Sequence, residues 1–159
     1  MDRDTDKDRA ADMDHDTDTD HDTHDEIIHL ACDPQVVRSS RRRVALVLRG
    51  RGWNERDVER AQLATSELVT NAVVHARTPA TLRLRVGGPG LRLEVTDAAP
   101  AQTPVISGRD RRRAGGLGLP VVAALSRAWG VDRRAATKAV WCELLAAFPF
   151  RGGPTPGYP

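Results

Sequence analysis

A two-layer α/β sandwich, with helices on one face of a largely antiparallel sheet, is the fold this sequence predicts. Three observations carry the prediction. Thr81-Leu-Arg-Leu-Arg-Val86 and Leu91-Arg-Leu-Glu-Val-Thr-Asp97 alternate apolar and polar residues, and Gly87-Gly-Pro-Gly90 joins them as a hairpin turn. Helical stretches with their own start and stop signals precede the hairpin. Two further strand-like runs, 129–132 and 139–145, close the chain after a third helix.

Taken in order, residues 1–25 form an Asp/Thr/His tract with almost no apolar content. Such a tract cannot bury enough surface to offset its ordering entropy, so it is expected to be a disordered acidic tail. His15, His21 and His24 stand among its aspartates; a solvated tail fits this composition better than a metal site. The domain, residues 26–147, opens with the strand-like run Ile27-Ile-His-Leu-Ala-Cys32. Asp33-Pro34 supplies a cap and a first-turn proline for a helix ending near Arg49, before Gly50 and Gly52. Asn54 caps the next helix, about 55–77, and Pro79 follows it. Residues 98–115, rich in Pro, Gly and Arg, read as a long loop of the kind that serves as a lid. Gly116 to about Ala128 returns to helix, with Pro120 tolerated in the first turn. Residues 148–159, with Pro149, Pro154, Pro156 and Pro159, form a Pro/Gly-rich tail.

Charge is unevenly spread. Residues 1–26 carry twelve acids against Arg3, Lys7 and Arg9, a net of −9; since the whole chain is +2, residues 27–159 carry +11. A basic body points to an anionic ligand or partner, such as nucleotide, acidic protein or nucleic acid. Cys32 and Cys142 lack metal-type spacing, which suits a reducing, cytoplasmic setting. The apolar run Val44-Ala-Leu-Val-Leu48 is far short of the roughly 20 residues a membrane span needs. The acidic N-terminus lacks the regions of a signal peptide. A soluble, membrane-free protein is expected.

The chemistry concentrates on Leu63-Ala-Thr-Ser-Glu-Leu-Val-Thr-Asn-Ala-Val-Val-His-Ala76, where Glu67, Asn71 and His75 recur at steps of four. On an α-helix such steps place side chains in a stripe about 80° wide. Among small and apolar neighbours, these polar groups must meet water, each other or a ligand. A glutamate that can take a proton, one turn from an asparagine oxygen that can ligate a hard cation, suits phosphoryl-transfer chemistry. His75 extends the stripe but equally suits a backbone or carboxylate partner. Asp97, ending a strand, can accept from an exocyclic amine such as that of adenine, or simply open a turn. Gly115-Gly-Leu-Gly118 before a helix suits close backbone approach to phosphate, or a flexible loop end. Arg109-Asp-Arg-Arg-Arg113 can neutralise phosphates or form a solvated face. Lys138, just before the last strand, reads as a surface lysine or a phosphate contact. Trp53, Trp129 and Trp141 read as packing residues. No Walker loop, nucleophile elbow, metalloprotease helix or Cys-x-x-Cys pair is present in the sequence.

The order of these features resembles the GHKL (histidine-kinase-like) ATPase superfamily: Glu-Leu-Val-Thr-Asn-Ala (67–72), a strand ending in Asp97, Gly-Gly-Leu-Gly-Leu (115–119) and a closing Lys-Ala-Val-Trp (138–141). Its compact length is most similar to the anti-sigma-factor serine/threonine kinases and related stand-alone regulators. The resemblance covers about residues 27–146 and implies the Bergerat-type fold, a mostly antiparallel mixed sheet under helices. It implies ATP and Mg²⁺ as cofactors, with Glu67 as general base, Asn71 ligating Mg²⁺, Asp97 binding the adenine amine, and Gly116, Leu117, Gly118 and Lys138 near the phosphates. It implies transfer of the γ-phosphoryl to a serine or threonine of an antagonist protein, sequestration of a sigma factor, and pairing as a homodimer. A second reading is a nucleotide-sensing module that holds its partner without phosphoryl transfer. A nucleic-acid binder would explain the basic body but not Glu67, Asn71 and Asp97. Two departures stand out. The family's Asp-x-Gly-x-Gly box reads Asp97-Ala98-Ala99-Pro100 here, and its closing Gly-Lys-Thr reads Thr137-Lys138-Ala139.

Overall fold

Alternation of apolar and polar residues is what builds the sheet. A computed structural model of the chain describes residues 23–101 and 118–147. Its strands are β1 (His24–Leu30), β2 (Ala80–Gly87), β3 (Gly90–Asp97), β4 (Ala128–Arg133) and β5 (Lys138–Leu145). They lie in the order β1-β2-β3-β5-β4, and every pairing is antiparallel, so the sheet is not mixed. Leu82, Leu84 and Val86 of β2, Leu91, Leu93 and Val95 of β3, and Val140, Cys142 and Leu144 of β5 all point to one face and are buried. That face meets Val44, Ala45 and Leu48 of α1 (Gln35–Gly50) and Val58, Ala61, Ala64, Leu68 and Val69 of α2 (Glu55–Thr70) in one core. Burying each large aliphatic side chain contributes about 1.5–3 kcal/mol. The third helix, α3 (Gly118–Leu125), packs on α2 and adds Leu119 and Val122 to this core.

The other face of the sheet is polar. Arg92 on β3 bonds Glu143 of β5 at 2.8 Å and stacks 4.1 Å from the centre of the Trp141 ring. Trp53 is buried in the core and Trp129 packs against it, whereas Trp141 lies on this polar face beneath a guanidinium. At the hairpin, Gly88 adopts a φ of +51°, which an L side chain rarely takes.

Differences from the sequence expectation are local. Strand β1 begins at His24, not Ile27, because pairing with β2 runs from His24–Val86 to Leu30–Ala80. Asp33 accepts from the Gln35 N–H at 2.8 Å at the start of α1. Asn54 caps α2 as expected, accepting from the Asp57 N–H at 2.9 Å. The helix expected over 55–77 is regular only to Thr70. It then opens into a π-helical turn, Asn71–Ala76, and ends with Arg77 in the left-handed region at φ 54°. The third helix is described from Gly118; Gly116, Leu117, the 109–113 arginine run, residues 1–22 of the N-terminal tail and residues 148–159 lie outside the described residues, whereas His24 and Asp25, expected in the tail, belong to β1.

Candidate functional site

Glu67, in the last full turn of α2, carries its carboxylate toward the first residue of α3. A Cβ placed on Gly118 would lie 2.7 Å from Glu67 Oε2 and 3.7 Å from its Cβ and Cδ. Only glycine permits this approach, so one of the predicted phosphate-cradle glycines and the predicted base are held together by packing of α3 on α2. Among the described residues no hydrogen-bond partner engages the Glu67 carboxylate.

Asn71 follows one turn later, at the junction of α2 and the π turn. Its Nδ2 is buried without a hydrogen-bond partner among the described residues. A buried amide N–H left unsatisfied is unusual, and it marks a position where an acceptor atom of a ligand can complete the bonding. The π turn widens the helix here, as such turns do at functional sites. It also takes His75 off the expected stripe: His75 is exposed, while Glu67 and Asn71 are half-buried. Two elements outside the motif brace the turn. The Cys32 thiol donates to the Val73 carbonyl at 3.5 Å, and Thr78 Oγ1 accepts from the Ala98 N–H at 3.3 Å, linking the chain after the turn to the end of β3.

Asp97 closes β3 at the same end of the sheet and is buried. Its Oδ1 accepts from the Ala99 N–H at 2.9 Å, which is the turn-opening role that the sequence offered as one of two readings. Lys138 corrects the surface expectation. It is fully buried, stands opposite Asp97 in the β3–β5 register, and sets its ammonium 3.3 Å from Asp97 Oδ2. A buried lysine requires a charge partner, and the sequence hid this one because the two residues meet only through strand pairing. No cluster of three or more His, Cys, Asp or Glu suited to a metal ion occurs among the described residues.

One structural hub escaped the sequence reading. Asp57, in the first turn of α2, is buried and accepts from the Ala147 N–H at 2.6 Å, Asn54 Nδ2 at 2.8 Å and Arg60 Nη1 at 2.7 Å. Arg60 Nη2 also donates to the Leu125 carbonyl at 2.7 Å, at the C-terminal end of α3. The hub thus ties α2, α3 and the end of β5 together and fixes the relation of Glu67 to Gly118. Its signal in the sequence was an acid and an arginine three residues apart, which looks like an ordinary surface pair.

The histidine kinase-like ATPase domain family matches residues 30–143 of this chain, and the chain belongs to that family. It is 35% identical over 98 residues to an uncharacterized protein of Streptomyces coelicolor, a match covering 59% of this chain and 93% of that protein. Its fold is similar to the crystal structure of the RsbU and RsbW domains of Rv1364c from Mycobacterium tuberculosis, with a TM-score of 0.58 and 19% identity. That likeness covers 81% of this chain and 35% of the other, so the chain spans about a third of the length of its structural neighbour. No helix among the described residues is long and apolar enough to cross a membrane.

Proposed function

We propose that the chain is an ATP-dependent serine/threonine protein kinase of the anti-sigma-factor type, which phosphorylates an antagonist protein and sequesters a sigma factor. The observation that carries this reading is the junction of Glu67, Gly118 and Asn71, with a free carboxylate over a helix start and an unsatisfied carboxamide one turn away. The residues fit an ATP–Mg²⁺ group: Asn71 offers a carboxamide, Gly118 lets the Glu67 carboxylate approach the first residue of α3, and Asp97 lies at the sheet end. Asn71 Oδ1 would hold the cation, Asp97 would receive the base amine, and the start of α3 would face the phosphates. Bound magnesium would supply neutralisation of phosphoryl charge. Glu67 then takes the proton of the attacking serine or threonine hydroxyl, and α3 packing keeps that carboxylate aimed at the start of the helix. Sequestration of the partner uses the same domain, with homodimer pairing carried over from the resemblance.

The second reading, a nucleotide-sensing module that binds its partner without transfer, is favoured by a specific observation. Ala98-Ala99-Pro100 replaces the glycines after Asp97, and Lys138 already meets the Asp97 carboxylate. A phosphotransfer assay on the partner captured by the full chain, with Glu67→Gln as control, separates the two. The kinase reading expects transfer by the parent, a drop of about 10²-fold or more in Glu67→Gln, and nucleotide binding that survives in the variant. Equal transfer by parent and variant removes Glu67 as the base; nucleotide binding with no transfer by the parent supports the module.

A further inference from the structure

Asp97 and Lys138 form a pair in which each side chain is only 1% exposed. Of the two carboxylate oxygens, Oδ1 is fixed by the Ala99 N–H in a tight turn. Oδ2 accepts no hydrogen bond of good geometry among the described residues, and its neighbour is the ammonium at 3.3 Å. With one carboxylate oxygen held by the turn, only the other is left to meet a further partner. The carboxylate's one spare oxygen is therefore sealed from solvent behind a cation supplied by the chain itself. Separating the partners of a buried ion pair is costly, because each is left with an uncompensated charge.

Resting on the reading that this end of the sheet receives an adenine nucleotide, we infer that Lys138 occupies the position of the base's exocyclic amine. The base-recognition position is self-occupied, and adenine enters only by displacing the ammonium from Asp97 Oδ2. A neutral N–H leaves the buried carboxylate without the counter-charge that the ammonium supplies, and an uncompensated buried charge is unfavourable. The exchange costs affinity, so Lys138 sets how tightly this chain holds adenine nucleotides. Loss of the glycines after Asp97 reinforces the effect, because Ala99 and Pro100 stiffen the turn that holds Oδ1.

The test is calorimetric titration of the full chain and of Lys138→Thr with ADP. Threonine suits a strand and keeps a hydroxyl donor for Asp97 while vacating the lysine's volume. The expected result is an ADP affinity at least about tenfold higher in Lys138→Thr, the scale of one hydrogen bond regained. A second measurement needs no variant. Lys7 and Lys138 are the only lysines in the chain, so the ammonium resonances of lysine-labelled protein resolve Lys138 directly. That resonance is expected to move to a solvated position as ADP saturates the parent. An unchanged or weaker affinity in Lys138→Thr, or a Lys138 resonance that stays in place at saturation, overturns the inference and leaves the nucleotide reading standing. Absence of ADP binding in both chains overturns the nucleotide reading and the inference with it.

Discussion

Gly118 and Glu67 constrain each other, and the constraint has unequal consequences for stability and for chemistry. A methyl at position 118 would collide with Oε2, the far end of a flexible side chain, at 2.7 Å. Glu67 can rotate away, so Gly118→Ala is expected to shift folding stability by no more than about 1 kcal/mol. The rotated carboxylate no longer lies over the start of α3. Since misplacing a reacting group by about 1 Å can lower rates by 10²-fold, phosphoryl transfer to the partner protein should fall by more than about tenfold. Thermal unfolding and a transfer assay, run side by side, check this. A variant that transfers as fast as the parent would show that the contact is mere packing.

The two halves of this contact were not equally legible in the sequence. Glu67 and Asn71 were visible from their spacing on an apolar helix, and Gly118 from its place before the next helix. Their meeting was not visible, because it depends on how α3 packs across α2. Lys138 was misread for the same reason: Asp97 and Lys138 become neighbours only in the β3–β5 register. Pattern finds the residues that a single element displays, and it misses pairs that only tertiary pairing creates.

Among the elements, α2 bears most of the burden, and its two ends behave differently. Its N-terminal end is fixed by Asn54 and by the buried Asp57 hub. Burial works against ionisation of Asp57, but the Ala147 N–H, Arg60 and Asn54 outweigh it and hold the carboxyl below its ordinary value. A carboxylate lowered in the folded state contributes stability that is present above the ordinary carboxylate range. That stability is lost as pH falls through the lowered value. Asp57→Asn is therefore expected to be less stable than the parent by about 2 kcal/mol at neutral pH, from loss of charge-assisted bonds. The gap should shrink below pH about 4 as the parent's carboxylates protonate. Denaturant melts across pH measure it, and a gap that is the same at every pH would contradict an ionised Asp57.

The C-terminal end of α2 departs from regularity where the site begins. Steps of four predicted a continuous α-helix, and they were right through Thr70. The π turn that follows owes nothing to periodicity; it goes with the Cys32 thiol on the Val73 carbonyl, a contact from outside the helix, and ends at the left-handed Arg77. The fold's other elements were legible because each has a strong local pattern. The hairpin's alternation and its Gly-rich turn fixed β2 and β3, while the start of β1 was missed because His24, Asp25 and Glu26 carry the composition of the tail.

At the scale of the whole molecule, the two faces of the sheet divide the work. One face is filled by the helices and the core. The other carries Arg92, Trp141 and Glu143 in contact with one another. The site lies at one end of the sheet, where β3 stops and β5 starts, beside the α2–π junction. Every predicted site residue among those described, Glu67, Asn71, Asp97, Gly118 and Lys138, comes from a different element or element end. Two pairs among them come into direct contact, Glu67 with Gly118 and Asp97 with Lys138. On the function proposed above, this end of the sheet is a nucleotide site completed by a cation at Asn71. The most direct measurement is equilibrium titration of the full chain and of Asn71→Ala with ATP, with and without Mg²⁺. The parent is expected to bind saturably and more tightly with Mg²⁺, and Asn71→Ala to give a binding curve that Mg²⁺ no longer changes. Equal response to Mg²⁺ in both chains, or no saturable binding by the parent, would contradict it.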